Sequence, residues 1–213
     1  MKKNLFIALE GLDGSGKSTQ TKLLAEKLKE QGLNVYTTSE PTTSRIGSII
    51  KDIFKHKMQA DHRTIAALFV ADRLDHLLNK TDGIVKKLEE GYTVICDRYY
   101  FSSYAYQGTH LDMDWVIEAN SLSADILRPD LNIFIDVSPD TSMKRVNRSR
   151  PSTELYETVE NLANVRKKFF EAFEKLKDQE VIFITEGNRS PDLIANDIWK
   201  EVSRIMEREN QLS

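Results

Sequence analysis

The sequence predicts a single α/β domain: one parallel sheet of five strands, with helices packed on both of its faces. Three observations lead there. Five short apolar runs, at residues 5–9, 35–38, 92–96, 131–137 and 181–185, have strand length. Most are apolar throughout rather than alternating, the pattern of strands buried on both faces. Between them lie stretches with apolar residues at helical spacing, and strands that alternate with helices return to the same sheet in parallel. At 213 residues the chain can bury one sizeable core, and no linker divides residues 1–213 into two.

In chain order, Met1-Lys2-Lys3 followed by an apolar run superficially suggests an export signal. The run stops at Glu10, too short for an export core, and is read as the first strand. A helix is expected from about Ser18, carrying Leu23, Leu24, Leu28 and Gln31, with Gly32 as its stop. The second strand follows, then the loop Glu40-Pro41-Thr42-Thr43-Ser44. Residues 46–54 and 64–78 read as helices, the latter through Leu68, Phe69, Leu74, Leu77 and Leu78, and 84–88 continues helical until Gly91. The third strand ends at Asp97, and the fourth follows Pro129. Val159, Leu162, Val165, Phe169, Phe173 and Leu176 mark one long helix, and Leu193, Ile194, Ile198, Val202 and Ile205 mark the last.

A net charge of −3 gives a nucleic-acid role no global electrostatic support. The one cysteine, Cys96, excludes an intramolecular disulfide and suits a reducing cytoplasm. No stretch reaches membrane-spanning length. His56, His62, His76 and His110 show no metal-ligand spacing.

The chemistry concentrates after the first strand, where residues 10–19 read Glu-Gly-Leu-Asp-Gly-Ser-Gly-Lys-Ser-Thr. This fits G-x-x-x-x-G-K-[ST] between a strand and a helix, the context that makes the pattern a phosphate-binding loop. Gly11, Gly14 and Gly16 let the backbone curl, so that the N–H groups of the segment from Leu12 and Asp13 through Ser15 to Thr19 line one concavity. The positive end of the following helix adds to its pull on anions. Lys17 would reach the terminal phosphates of a nucleoside triphosphate, and the Ser18 hydroxyl would bind magnesium. The bland alternative, a glycine-rich turn with a chance match, fails because every required position is filled.

Asp97-Arg98 forms a second constellation. A carboxylate ending a neighbouring strand holds magnesium in phosphate-loop proteins, and an adjacent arginine offers a planar fork to a second phosphate. Beyond it, Ser103 and Gln107 lie four apart, so on a helix they share a face and can address the edge of a heterocycle.

With these residues in place the chain resembles the thymidylate kinases, over nearly its whole length and in order. The matching segments are the phosphate loop, Leu68-Phe69-Val70-Ala71-Asp72-Arg73-Leu74-Asp75-His76, Asp97-Arg98-Tyr99 leading to Ser103 and Ala105-Tyr106-Gln107-Gly108, and Leu127-Arg128-Pro129-Asp130-Leu131. The resemblance implies the three-layer fold of phosphate-loop NTPases. It also implies magnesium-dependent transfer of a phosphoryl group from ATP to dTMP on the way to dTTP, by a cytoplasmic homodimer. It implies that Phe69 stacks on thymine and Arg73 donates to a thymine oxygen. Ser103 and Gln107 would line the base pocket, Arg98 would hold the acceptor phosphate, and Asp13 would face the acceptor's sugar and phosphate. Two positions depart from the family pattern: Pro41 is followed by Thr42-Thr43 instead of Gly-Gly, and Lys51 stands where an arginine usually contacts the acceptor phosphate. Lysine keeps the charge and loses the fork.

Residues 144–151, Lys-Arg-Val-Asn-Arg-Ser-Arg-Pro, read alone as a solvated basic stretch. The resemblance makes residues 144–157 a lid over ATP. Because Gly14 occupies the position at which some thymidylate kinases carry an arginine, the lid must supply the cation. Arg145, Arg148 and Arg150 are the candidates, with Arg148 expected at the transferred group, and Tyr156 in the segment lining the acceptor site. The rivals are a deoxynucleoside kinase, with Glu10 as general base, and a non-catalytic nucleotide-binding paralogue.

Overall fold

The computed structural model describes residues 4–149 and 158–211. Its sheet has five strands, β1 (Phe6–Glu10), β2 (Asn34–Ser39), β3 (Tyr92–Asp97), β4 (Leu131–Asp136) and β5 (Ile182–Glu186), in the order β2-β3-β1-β4-β5. Every neighbouring pair is parallel. The fold class read from the sequence is the one observed.

Successive side chains of a strand point to opposite faces, and β1 shows why an unbroken apolar run is needed here. Phe6 and Ala8 join the core on one face, with Tyr100, Phe101 and Tyr104 of α5 (Tyr100–Tyr106) and Leu162, Val165, Phe169 and Phe173 of α9 (Val159–Leu176). Leu5, Ile7 and Leu9 join the core on the other face. There they meet Leu24 and Leu28 of α1 (Lys17–Glu30) and Ile194, Ile198 and Val202 of α10 (Pro191–Gln211). A smaller apolar cluster joins α2 (Arg45–Phe54) to α3 (His62–Leu78) through Ile50, Ile53, Ile65 and Phe69.

Residues 100–126 are where the sequence reading assigned no elements. They form α5, a 3-10 turn (Gln107–Thr109), α6 (Met113–Ala119) and α7 (Ser121–Ile126). All seven residues of α5 are buried, so it carries no polar stripe, and periodicity has nothing to register. The remaining helices are α4 (Ile84–Glu89) and α8 (Pro139–Ser149). Among the described residues no helix is long and apolar enough to cross a membrane.

The register sets the site. Leu9 and Ser39 both pair with Asp97, so β2, β3 and β1 end level with one another. Glu10, Glu40, Asp97 and Arg98 therefore meet at the carboxyl end of the sheet, where ligands bind in open α/β folds.

Candidate active site

Two cavities adjoin at that end. The larger, about 750 Å³, is lined by Asp13, Gly14 and residues 15–20, then by Asp97, Arg98, Arg145 and Arg189 among others. The smaller, about 400 Å³, is lined by Phe54, Lys55, Phe69, Ser102, Ser103, Tyr106 and Gln107. Asp13, Pro41, Lys51 and Arg98 line both and mark the boundary between them.

The loop of the larger cavity has the backbone that its glycines permit. Gly14 has φ 69°, and a Cβ there would lie 2.9 Å from the Ser142 carbonyl and 3.1 Å from Arg145 Cβ. Helix α8 thus packs directly on the loop, with Ser142 Oγ donating to the Asp13 carbonyl at 2.5 Å. An arginine at position 14 has no room, and Arg145 comes in from α8 instead. Its Nη1 donates to the Gly14 and Ser15 carbonyls at 3.3 and 3.4 Å, and its Nη2 to the Gly187 carbonyl at 3.0 Å. Arg148, one turn on, is exposed and lines neither cavity. Arg150 and Tyr156 lie outside the described residues.

Lys17 is buried, and its Nζ donates to the Gly11 and Leu12 carbonyls at 3.1 and 2.9 Å. Gly11 and Leu12 thus serve through their carbonyls and do not line the cavity. Burial and the nearby Arg98 push the Lys17 ammonium down to about 8, against the upward pull of Asp97, Asp13 and Glu10. Ser18 Oγ donates to Asp97 Oδ2 at 2.8 Å. A hydroxyl and a carboxylate side by side at a phosphate site fit magnesium, which takes one or two protein oxygens and completes its shell with water and phosphate oxygens.

Arg98 has φ 75°, an uncommon conformation for a side chain with a Cβ. Its Nη2 donates to Asp13 Oδ1 at 2.7 Å and its Nη1 to the Gly11 carbonyl at 3.2 Å and Ser102 Oγ at 3.0 Å. Tyr106 donates to Asp13 Oδ2 at 3.1 Å, and its ring lies 5.0 Å under the guanidinium. Burial would raise the Asp13 carboxyl, but Arg98 and Lys17 outweigh it and hold it below its usual range.

In the smaller cavity Phe54 and Phe69 form an aromatic wall, their centroids 5.8 Å apart. Ser103 Oγ and Gln107 Oε1 are buried there without a hydrogen-bond partner. Buried polar atoms are paired in the great majority of native structures, so two orphans in one cavity wall are open to a ligand. Lys51 and Lys55 stand one helical turn apart at its rim.

Arg73 is, after Arg148, a second predicted site residue that the structure puts away from both cavities. It is absent from the lining of both cavities and only 1% exposed. Its Nε and Nη2 donate to Glu40 Oε2 at 2.9 and 2.6 Å, and its Nη1 donates to Asn120 Oδ1. His76 Nδ1 meets the other Glu40 oxygen at 3.1 Å. Glu40, His76 and Cys96 bring three metal-ligating atoms within 4.8 Å of one another. The guanidinium on Glu40 supplies that pocket's positive charge, and burial raises the Cys96 thiol well above its usual range.

The Thr42 departure has a local role. Its N–H and hydroxyl both donate to Asp72, at 2.8 and 2.5 Å, tying the loop before α2 to α3. Residues the sequence reading missed include Lys55, Phe54 and Arg189. Arg189 follows the carboxyl end of β5, and that position in a parallel sheet is the signal that points to it.

Residues 9–198 match the family model described as thymidylate kinase. A chain of Pyrococcus horikoshii named "Probable thymidylate kinase" is 39% identical over 186 residues, covering 84% of this chain and 88% of that one. A Shouchella clausii protein named "Thymidylate kinase" is 35% identical over 212 residues, covering 97% and 98%. A Methanocaldococcus jannaschii chain named "Probable thymidylate kinase" is 34% identical over 199 residues, covering 93% and 95%.

This chain belongs to the thymidylate kinase family. As a thymidylate kinase it is a phosphotransferase of nucleotide biosynthesis. The deoxynucleoside kinase alternative also loses its base: Glu10 is fully buried and lines neither cavity, so it has no access to a substrate hydroxyl.

Proposed function

We propose that the chain transfers the terminal phosphoryl group of ATP to dTMP, with ATP in the larger cavity, dTMP in the smaller, and the transfer crossing the boundary held by Asp13, Lys51 and Arg98. The observation that carries this is the pair of adjoining cavities sharing Asp13 and the two cations Lys51 and Arg98. An oxygen of the acceptor phosphate forms a bond to the γ-phosphorus as the bond to the β–γ bridging oxygen breaks and ADP leaves. The attacking oxygen is already anionic, so positioning and charge stabilisation suffice.

In this reading the loop N–H groups and Lys17 take the ATP phosphates, with Lys17 exchanging its two carbonyl partners for phosphate oxygens. Ser18 and Asp97 hold magnesium, which neutralises charge on the phosphates. Arg98 and Lys51 take the acceptor phosphate. Phe69 stacks on the base, while Ser103 and Gln107 meet its polar edge. Arg73 acts from behind the wall, fixing Glu40 and with it the turn at Pro41.

The contact of Arg145 with the loop favours it over Arg148 as the cation at the transferred group. Arg145→Ala is expected to lower kcat at least ~100-fold, below the full contribution of an arginine finger because neighbouring cations partly cover it. Arg148→Ala should stay within about 3-fold, as for an exposed substitution. The opposite ranking in steady-state kinetics would return the role to Arg148.

The deciding experiment is ADP release from ATP with a panel of nucleosides and monophosphates. dTMP should be the best acceptor, dCMP and dGMP poor, and thymidine inert. ATP turnover indifferent to every acceptor would favour a non-catalytic paralogue.

The chain also works as a cytoplasmic homodimer in this reading. Ala67, Ala71 and Leu78 form an exposed apolar stripe on α3, which suits packing against a second copy. Sedimentation as a 24.5 kDa species at micromolar concentration would remove the dimer.

A further inference from the structure

We infer that Glu10, which touches neither substrate cavity, is a positioning residue for Arg98 and acts through the hydroxyl of Ser102. The inference rests on the reading that Arg98 holds the acceptor phosphate.

Three observations meet at this carboxylate. Helix α5 begins at Tyr100, and its N-cap residue Tyr99 provides no side-chain cap. Glu10 Oε1 supplies one from β1, accepting the Tyr99 N–H at 2.9 Å and the Ser102 N–H at 3.3 Å. Glu10 Oε2 accepts the Ser102 hydroxyl at 2.5 Å, and that hydroxyl in turn accepts Arg98 Nη1 at 3.0 Å.

One carboxylate therefore grips the backbone just after Arg98 and, through one hydroxyl, its guanidinium. The backbone grip matters because Arg98 sits at φ 75°, a conformation that persists only where the surroundings over-determine it. The hydroxyl link matters because the fork is held from two sides: Asp13 takes Nη2, and the Ser102 relay takes Nη1. With the carboxylate as acceptor, the Ser102 hydrogen points away from Arg98 and a lone pair is presented to the guanidinium. Reversing the Glu10 end to a donor strands that hydrogen and weakens the hold.

The variants separate capping from positioning. Glu10→Gln keeps an oxygen for the two backbone N–H groups and turns the Ser102 link into a donor. Ser102→Ala keeps the whole backbone cap and cuts the relay. Each is expected to lower kcat/KM for dTMP about 10-fold while KM for ATP stays within about 2-fold. Because both cut one chain, the double variant should lose less than about 3-fold more than the worse single variant. Ser102→Thr, which restores the hydroxyl, should recover most of the loss.

Losses that multiply in the double variant would overturn the relay, as would a fall in melting temperature with unchanged dTMP kinetics. Arg98→Ala keeps the underlying reading separate. If it leaves dTMP kinetics intact, the assignment of Arg98 fails. If it is severe while Glu10→Gln and Ser102→Ala are neutral, Arg98 stands and the positioning role of Glu10 falls.

Discussion

Asp97→Asn is expected to cut the saturated turnover rate at least ~100-fold while ATP affinity changes only a few-fold. The carboxylate ends β3 level with the phosphate loop, and the Ser18 hydroxyl donates to it at 2.8 Å. Exchange of one carboxylate oxygen for an amide removes the negative charge that attracts a divalent ion and leaves the loop N–H groups untouched. Charge on the phosphoryl oxygens shifts most in the transition state, so the loss falls on kcat rather than on nucleotide binding. A second reading, independent of rate, is the magnesium concentration needed for half-maximal ATP binding, which should rise in the variant. Equal losses in affinity and rate, with unchanged magnesium dependence, would detach Asp97 from the metal.

The second large effect is on folding. Arg73 and Glu40 are 1% and 2% exposed at their side chains and face each other at 2.6 Å. Truncating one member of such a pair leaves the other charge buried without compensation, at a cost of about 3–5 kcal/mol. Arg73→Ala should therefore lower the urea midpoint substantially, and Asn120 loses its donor as well. Glu40→Gln in the same chain should recover part of the loss, because the stranded charge is gone. Had Arg73 been chiefly a base-contacting group at the cavity wall, the variant would keep its stability and lose only dTMP affinity. Equilibrium unfolding beside acceptor kinetics separates the two.

Arg73 also marks the boundary of what the sequence makes legible. Helical spacing puts it four residues after Phe69, and only the family resemblance makes it a ligand contact. Its partners are Glu40 from the end of β2 and Asn120 from the end of α6, 33 and 47 residues away, and no local pattern announces either. The strands and the phosphate loop are local features, fixed by unbroken apolar runs and by glycine spacing, and the structure has them where the sequence put them. Ser103 and Gln107 are legible for the same reason, since four residues on one helical turn fix their common face.

Arg145 was legible as a cation but not as the one that reaches the loop. That depends on the absence of a side chain at Gly14, which lets α8 come close. Glu10 was legible as the end of the first strand and as a candidate base, and its burial and its tie to Ser102, 92 residues on, were not. The order of importance among the basic residues is thus a tertiary property, although their presence is a sequence property.

The placement of Cys96 has a practical corollary. It is the only thiol in the chain, it lies on β3 between β1 and β2, and it is fully buried. A thiol reagent can reach it only when the middle of the sheet comes apart, since fraying of the helices at the rim leaves it covered. The rate at which the native protein takes up such a reagent is therefore a clock for whole-molecule opening rather than for surface breathing. A substrate that binds across the sheet's carboxyl end slows that clock in proportion to its own affinity. Ligand binding can thus be read from a single unmodified residue, without a coupled enzyme or an added label.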